Sequence, residues 1–240
     1  MPGLETTLGG SREAFPETVW SSVLSGAEKS PAAFNRLFQL YWRPVYKFIR
    51  TAGGATIEDA KDLTQEFFAY LLEGDVISKY EGEKGRFRTF LKGVLRNFLS
   101  ESRRDASRLK RGGGKAILSL DVSGLETEAF GAEKGQVGPE EQFDRQWAAD
   151  VIGQCLTELK RQLEAEGKST YYQVYESYYS GDGRPTYGRV AVLLGLTEQN
   201  VKNYLEVART RFEDLIRARL LQGVTSFDEL SEEISSLLSR

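Results

Sequence analysis

Residues 187–216, YGRVAVLLGLTEQNVKNYLEVARTRFEDLI, decide the fold, because their pattern is typical of two helices joined by a short turn. Ala191 is small enough to let the helices approach, and Gly195 can adopt the positive φ that the turn needs. Thr197 is a good N-cap for the second helix, which Val201 anchors on the first. The stretch predicts a helix-turn-helix whose second helix lies in the major groove of DNA. The alternative is an ordinary helical hairpin in a bundle.

The composition narrows the class of protein. A chain of 240 residues with 40% hydrophobic residues can form one large or two small domains. No apolar run is long enough to span a membrane, and the N-terminus lacks the pattern of a signal peptide, so we expect a cytoplasmic protein with no membrane partner. Histidine is absent and Cys155 is the single cysteine, most simply a small core residue. We therefore expect no metal site, no cofactor and no enzyme, although carboxylate-only sites remain open.

The formal net charge of −3 hides two segments of opposite sign. Acidic residues predominate over 57–83, and basic residues predominate over 84–111. The basic segment also contains Phe87, Phe90 and Phe98, and basic residues interleaved with aromatic ones are typical of nucleic-acid binding. The first segment suits a basic protein surface, and the second suits phosphates.

Apolar residues recur at helical spacing nearly throughout, so the fold class we predict is all-α, with two small helical domains. The predicted helices cover 16–24, 32–49 (with Pro44 kinking or dividing it), 57–73, 87–107, 140–163 and 170–179, followed by the helix-turn-helix. The predicted units are a disordered N-terminus (1–14), a first helical domain (15–110), a linker rich in glycine and acidic residues (111–139), a second helical domain (140–222) and an amphipathic tail (223–240). In the tail, Ser226 and Glu229 form a candidate capping box.

Three ordered motifs resemble those of bacterial RNA polymerase sigma factors of the extracytoplasmic-function (ECF) type. DLTQE at 62–66 resembles the family's polymerase-docking segment, and GRFRTF at 85–90 resembles the segment that leads into its promoter-reading helix. The helix-turn-helix at 187–216 resembles the family's reader of the minus-thirty-five element. Together the matches cover about 34–104 and 140–220, and the flanking sequence is similar to a planctomycete-like subgroup with extensions at both ends.

The resemblance implies a non-catalytic specificity subunit with defined partners. A region 2-like domain would dock on the beta-prime clamp helices of core RNA polymerase and read the minus-ten element of promoter DNA. A region 4-like domain would meet the beta flap and the minus-thirty-five element. An anti-sigma factor or a regulatory kinase would act as regulator.

The residues expected to make these contacts fall into three sets. The polymerase-binding residues are Asp62, Gln65 and Glu66, whose carboxylates and amide lie one helical turn apart. The DNA-binding residues of the region 2-like domain are Tyr80, Arg86, Phe87, Arg88, Arg96, Asn97, Arg103 and Arg104. Those of the helix-turn-helix are Thr197, Gln199, Asn200, Lys202, Asn203 and Arg209. An aromatic residue between Tyr80 and Phe90 could hold an unstacked base while the arginines bind phosphates.

This sequence also departs from the family pattern. Gly93 and Val94 replace the two tryptophans with which housekeeping sigma factors help to melt DNA. Tyr204, Glu206 and Val207 stand where family members often carry basic residues, which predicts weak DNA binding by this domain alone. Two other functions therefore stay open: a free-standing helix-turn-helix regulator, and an adaptor that engages polymerase or a regulator without reading DNA.

Overall fold

The computed structural model describes residues 31–73, 76–80, 86–106, 137–180, 183, 185–221 and 233. Over these residues the secondary structure is helical with no strand, which confirms the predicted all-α class. The α-helices are α1 (Pro31–Gly53), α2 (Ile57–Glu73), α3 (Phe87–Ala106), α4 (Pro139–Ala165), α5 (Ser169–Tyr179), α6 (Tyr187–Leu194) and α7 (Glu198–Leu221), and a short 3-10 helix covers Ile77–Lys79. The predicted helix at 16–24, most of the predicted linker and the capping box of the tail lie outside the described residues.

Local signals explain where the first helices begin and end. Helix α1 continues through Pro44, so the proline does not divide it. It ends at Gly53, and Gly54 then adopts a φ of 56°, a conformation that favours glycine. Helix α2 follows after Thr56, whose hydroxyl accepts a hydrogen bond from the Asp59 backbone N–H at 3.1 Å.

The first core is built by α1, α2 and α3 together with the N-terminal half of α4 and the end of α7. Helix α1 packs along α4, and the ring of Tyr41 stacks on that of Phe143 with centroids 6.2 Å apart. Trp147 and Val151 continue the buried stripe of α4. Half of α4 thus stabilises a core whose other helices come mainly from the first part of the chain.

The second core contains the remainder of α4 with α5, α6 and α7. Along α4, Cys155 is buried in the first core, and Leu159 one turn later is buried in the second. The predicted division into domains at residue 140 stays a prediction, but the helix that begins there contributes side chains to both cores.

We predict that Phe143→Ala will destabilise the protein by about 3–5 kcal/mol in urea unfolding, because it removes a buried ring and leaves a cavity against α1. Hydrogen exchange in α1 should become faster. The exposed ion pair of Glu141 with Arg145 provides the control, since Glu141→Ala should cost less than about 1 kcal/mol. Equal losses for the two variants would show that α4 does not stabilise the first core.

Candidate nucleic-acid interface

Helix α2 presents an acidic face next to its apolar one. Ala60, Phe67 and Leu71 are buried in the first core, whereas Asp62 and Glu66 are exposed. Gln65 lies between the two faces and is half-buried. Partial burial raises the pKa of Glu66, and the nearby Asp62 carboxylate raises it further. Two carboxylates that repel each other on an accessible helix face would gain from a cationic partner.

Tyr80 and Phe87 were predicted to contact DNA. Both side chains belong instead to the first core. Their exposed fractions are 7% and 2%, and their ring centroids are 5.2 Å apart. Phe90 packs on both rings. The expectation that Tyr80 or Phe87 offers an open ring face to a base is not met in this arrangement, because burying aromatic surface stabilises the fold.

Helix α3 directs three basic residues, one turn apart, at the start of α4. Arg88 Nη1 and Lys92 Nζ each lie 2.9 Å from a carboxylate oxygen of Asp144. One turn further along α3, Arg96 pairs with Glu140 at 3.0 Å. The predicted phosphate ligands Arg88 and Arg96 are therefore paired within the chain, a correction to the expectation that both are free for DNA.

A second carboxylate, that of Glu233 near the C-terminal end of the sequence, also contacts Arg88. Arg88 Nε donates to Glu233 Oε1 at 3.0 Å, and Nη2 donates to Glu233 Oε2. The guanidinium also lies over the Trp147 ring, with Cζ 4.0 Å from the ring centroid. We call Arg88, Lys92, Asp144, Trp147 and Glu233 the Arg88 cluster. The sequence analysis predicted an amphipathic tail over 223–240 but not this pairing.

The other predicted residues of this region are described only in part. Asn97 is exposed on α3, and Arg86 is half-buried immediately before this helix. Arg103 and Arg104 belong to α3, but their side chains lie outside the described residues.

Helices α6 and α7 form the helical pair that the sequence predicted. Gly195 adopts a φ of 66° in the turn, and Thr197 accepts a hydrogen bond from the Asn200 backbone N–H at 3.1 Å. Val201 is fully buried and Ala191 nearly so, which confirms their packing roles. That this pair reads DNA stays a prediction.

The polar residues predicted to meet DNA are placed unequally on this pair. Thr197, Gln199, Lys202 and Asn203 are exposed, and Asn200 is half-buried. Arg209 instead donates from Nε to the Tyr179 hydroxyl at 2.7 Å and lies over the Tyr178 ring. The exposed side chains at the start of α7 are thus available to a partner. Arg209 instead contacts two tyrosines, and the sequence pattern did not predict these contacts.

Among the described residues no group of His, Cys, Asp or Glu could hold a metal ion, and no helix there is long and apolar enough to cross a membrane. Burial raises the pKa of the Cys155 thiol to about 11, so this side chain is a core residue rather than a reactive one.

Comparison with known proteins gives one finding. Residues 37–109, from α1 to beyond the end of α3, match the family model of Sigma-70 region 2. This match supports a role as an RNA polymerase sigma factor in promoter recognition, and region 2 implies binding to core polymerase and promoter DNA. No curated protein and no solved structure matches the chain significantly.

We predict opposite effects of the same substitution at two glycines. Gly195→Ala should destabilise the protein by about 1–2 kcal/mol, because an added Cβ disfavours the positive φ of the turn. Gly153→Ala, at an exposed site inside α4 with open space around it, should stabilise by about 0.5–1 kcal/mol. Urea unfolding would measure both, and shifts of the same sign would contradict the role of Gly195 in the turn.

Proposed function

We propose that this chain is an alternative sigma factor of the ECF type, which binds core RNA polymerase and directs it to a limited set of promoters. The observation that carries the proposal is the Sigma-70 region 2 match over 37–109, within which α2 leaves Asp62 and Glu66 exposed. The planctomycete-like subgroup rests on the sequence resemblance alone. The polymerase would carry out the synthesis, so the chain itself needs no catalytic residue or cofactor.

The acidic face of α2 is the proposed docking surface for the beta-prime clamp helices. Asp62, Gln65 and Glu66 lie off the buried stripe, so they can contact a partner without unpacking the first core. Burial raises the pKa of Glu66 and the Asp62 carboxylate raises it further, and basic side chains on the partner would offset the repulsion between the two carboxylates. Since the proposed function requires core RNA polymerase, we propose that the chain acts in the cytoplasm.

Two separate surfaces would read the promoter. Gln199, Lys202 and Asn203 at the exposed start of α7 would meet the minus-thirty-five element, in a domain that would also meet the beta flap. Helix α3, with Arg96 and Asn97 exposed on it, would meet the minus-ten element. An anti-sigma factor or a kinase would control when these surfaces are available.

An adaptor that engages polymerase without reading DNA is the second candidate function. The pairing of Arg88 and Arg96 with carboxylates of α4 favours it, as does the tyrosine contact of Arg209. A free-standing helix-turn-helix regulator has less support, because it gives no purpose to the acidic face of α2. An adaptor would bind core polymerase but leave no footprint on promoter DNA.

We predict that Asp62→Arg will weaken binding to core RNA polymerase by about tenfold or more, since it places a cation against a basic partner surface. Gln65→Ala should have a smaller effect. Glu73→Arg, an equal charge change at the exposed end of the same helix, is the control and should bind nearly as well as the parent protein. Co-purification with core enzyme measures this, and equal retention of the Asp62 and Glu73 variants would remove the main support for docking through α2.

We predict separable promoter defects from substitutions on the two proposed DNA surfaces. Lys202→Ala or Asn203→Ala should reduce protection of the upstream promoter element, whereas Arg96→Ala or Asn97→Ala should impair the downstream element and strand opening. Footprinting with polymerase present, and permanganate reactivity of unpaired thymines, would distinguish them. Identical defects from both pairs would contradict two separate readers, and the absence of any footprint would favour the adaptor.

A further inference from the structure

Arg88 and Glu233 form a buried ion pair between residues that are far apart in the sequence. Their exposed fractions are 5% and 3%. Two N–H groups of one guanidinium meet the two oxygens of one carboxylate, the paired geometry that arginine also offers to phosphate. A contact of this kind specifies its ligand by shape as well as by charge.

The charges of the Arg88 cluster balance only when Glu233 is present. Arg88 and Lys92 carry two positive charges, and Asp144 and Glu233 carry two negative charges. Without Glu233 the cluster would retain one buried positive charge, and an unpaired buried charge is strongly unfavourable. The cluster therefore requires one anion in the position of the Glu233 carboxylate.

The carboxylates of Asp144 and Glu233 differ in what their departure from Arg88 would do to helix packing. Asp144 lies on α4 directly after Phe143, which is fully buried in the first core, so its departure would unpack α4 from α1. Glu233 comes from the segment that follows α7, twelve positions beyond the last residue of this helix, Leu221. Glu233 belongs to none of the helices α1–α7, so its departure would break no packing contact between α1 and α4.

We infer that Glu233 is an intramolecular substitute for a nucleic-acid phosphate: it occupies Arg88 and must leave before Arg88 can bind DNA. A phosphodiester carries one negative charge and accepts the same two N–H donors, so the exchange preserves the charge balance of the cluster. Arg88 thereby regains the phosphate-binding role that its sequence position indicates. The inference rests on the proposed function for the identity of the ligand.

The test compares the full-length parent protein with Glu233→Gln, which removes the charge but keeps the size of the side chain. The probe is a fluorescein-labelled single-stranded DNA of mixed sequence, and binding is followed by fluorescence anisotropy over a range of salt concentrations. We expect Glu233→Gln to bind about tenfold more tightly at low salt, with a log–log salt dependence steeper by about 0.7, the value for one added phosphate contact. The gain should disappear in the double variant Arg88→Gln with Glu233→Gln.

Glu141→Gln is the matched control, because it makes the same charge change at an exposed ion pair on α4. It should bind the probe like the parent protein. Equal affinities and equal salt slopes for the Glu233 and Glu141 variants would overturn the inference, since a change in net charge alone would then account for any effect.

A second variant covers the outcome in which Glu233→Gln folds poorly. Deletion of residues 224–240 should give the same gain in affinity with the helical content retained, at a lower melting temperature because Arg88 loses its partner. If both variants lose helical structure without gaining DNA affinity, Glu233 only stabilises the fold and the inference is wrong. Co-purification with core polymerase separates this failure from that of the proposed function. If the parent protein binds core polymerase but neither variant gains DNA affinity, only the proposed role of Glu233 is contradicted.

Discussion

The structure depends on the burial of one apolar stripe along α4. Phe143 and Trp147 place the start of this helix against α1, and Leu159 and Leu163 place its end among α5, α6 and α7. Because these positions are fixed by packing, the acidic residues of the first turns of α4 are brought to α3. The ion pairs on α3 are thus a consequence of the hydrophobic core and need no separate explanation of their geometry.

This arrangement gives the two proposed partners unequal access to the isolated chain. The acidic face of α2 is accessible, whereas Arg88 and Arg96 on α3 already have carboxylate partners. A chain of this kind would meet polymerase before DNA, and phosphates would have to compete with internal carboxylates. Weak DNA binding by the isolated protein is the expected result, in keeping with the non-basic residues Tyr204, Glu206 and Val207 of α7.

Features that depend on residues close together in the chain were predicted correctly from the sequence. The bounds of α2 were predicted to the residue, and Gly195 and Thr197 have the turn and capping roles expected of them, because each depends on neighbours within one helical turn. The pairing of Arg88 with Glu233 joins residues that no helical periodicity relates, so a pattern could indicate the charges but not their partners. The burial of Tyr80 was missed for the same reason, since an aromatic residue beside a basic segment fits a core and a base-stacking site equally well.

Promoter-directed transcription tests the central claim, that this chain gives core polymerase its promoter specificity. Run-off transcription would combine purified chain, core RNA polymerase and genomic DNA fragments. Discrete transcripts should start at fixed positions on a few fragments, and they should require both the chain and core enzyme. Binding to core enzyme with no chain-dependent transcript on any fragment would contradict it and leave the adaptor as the better description.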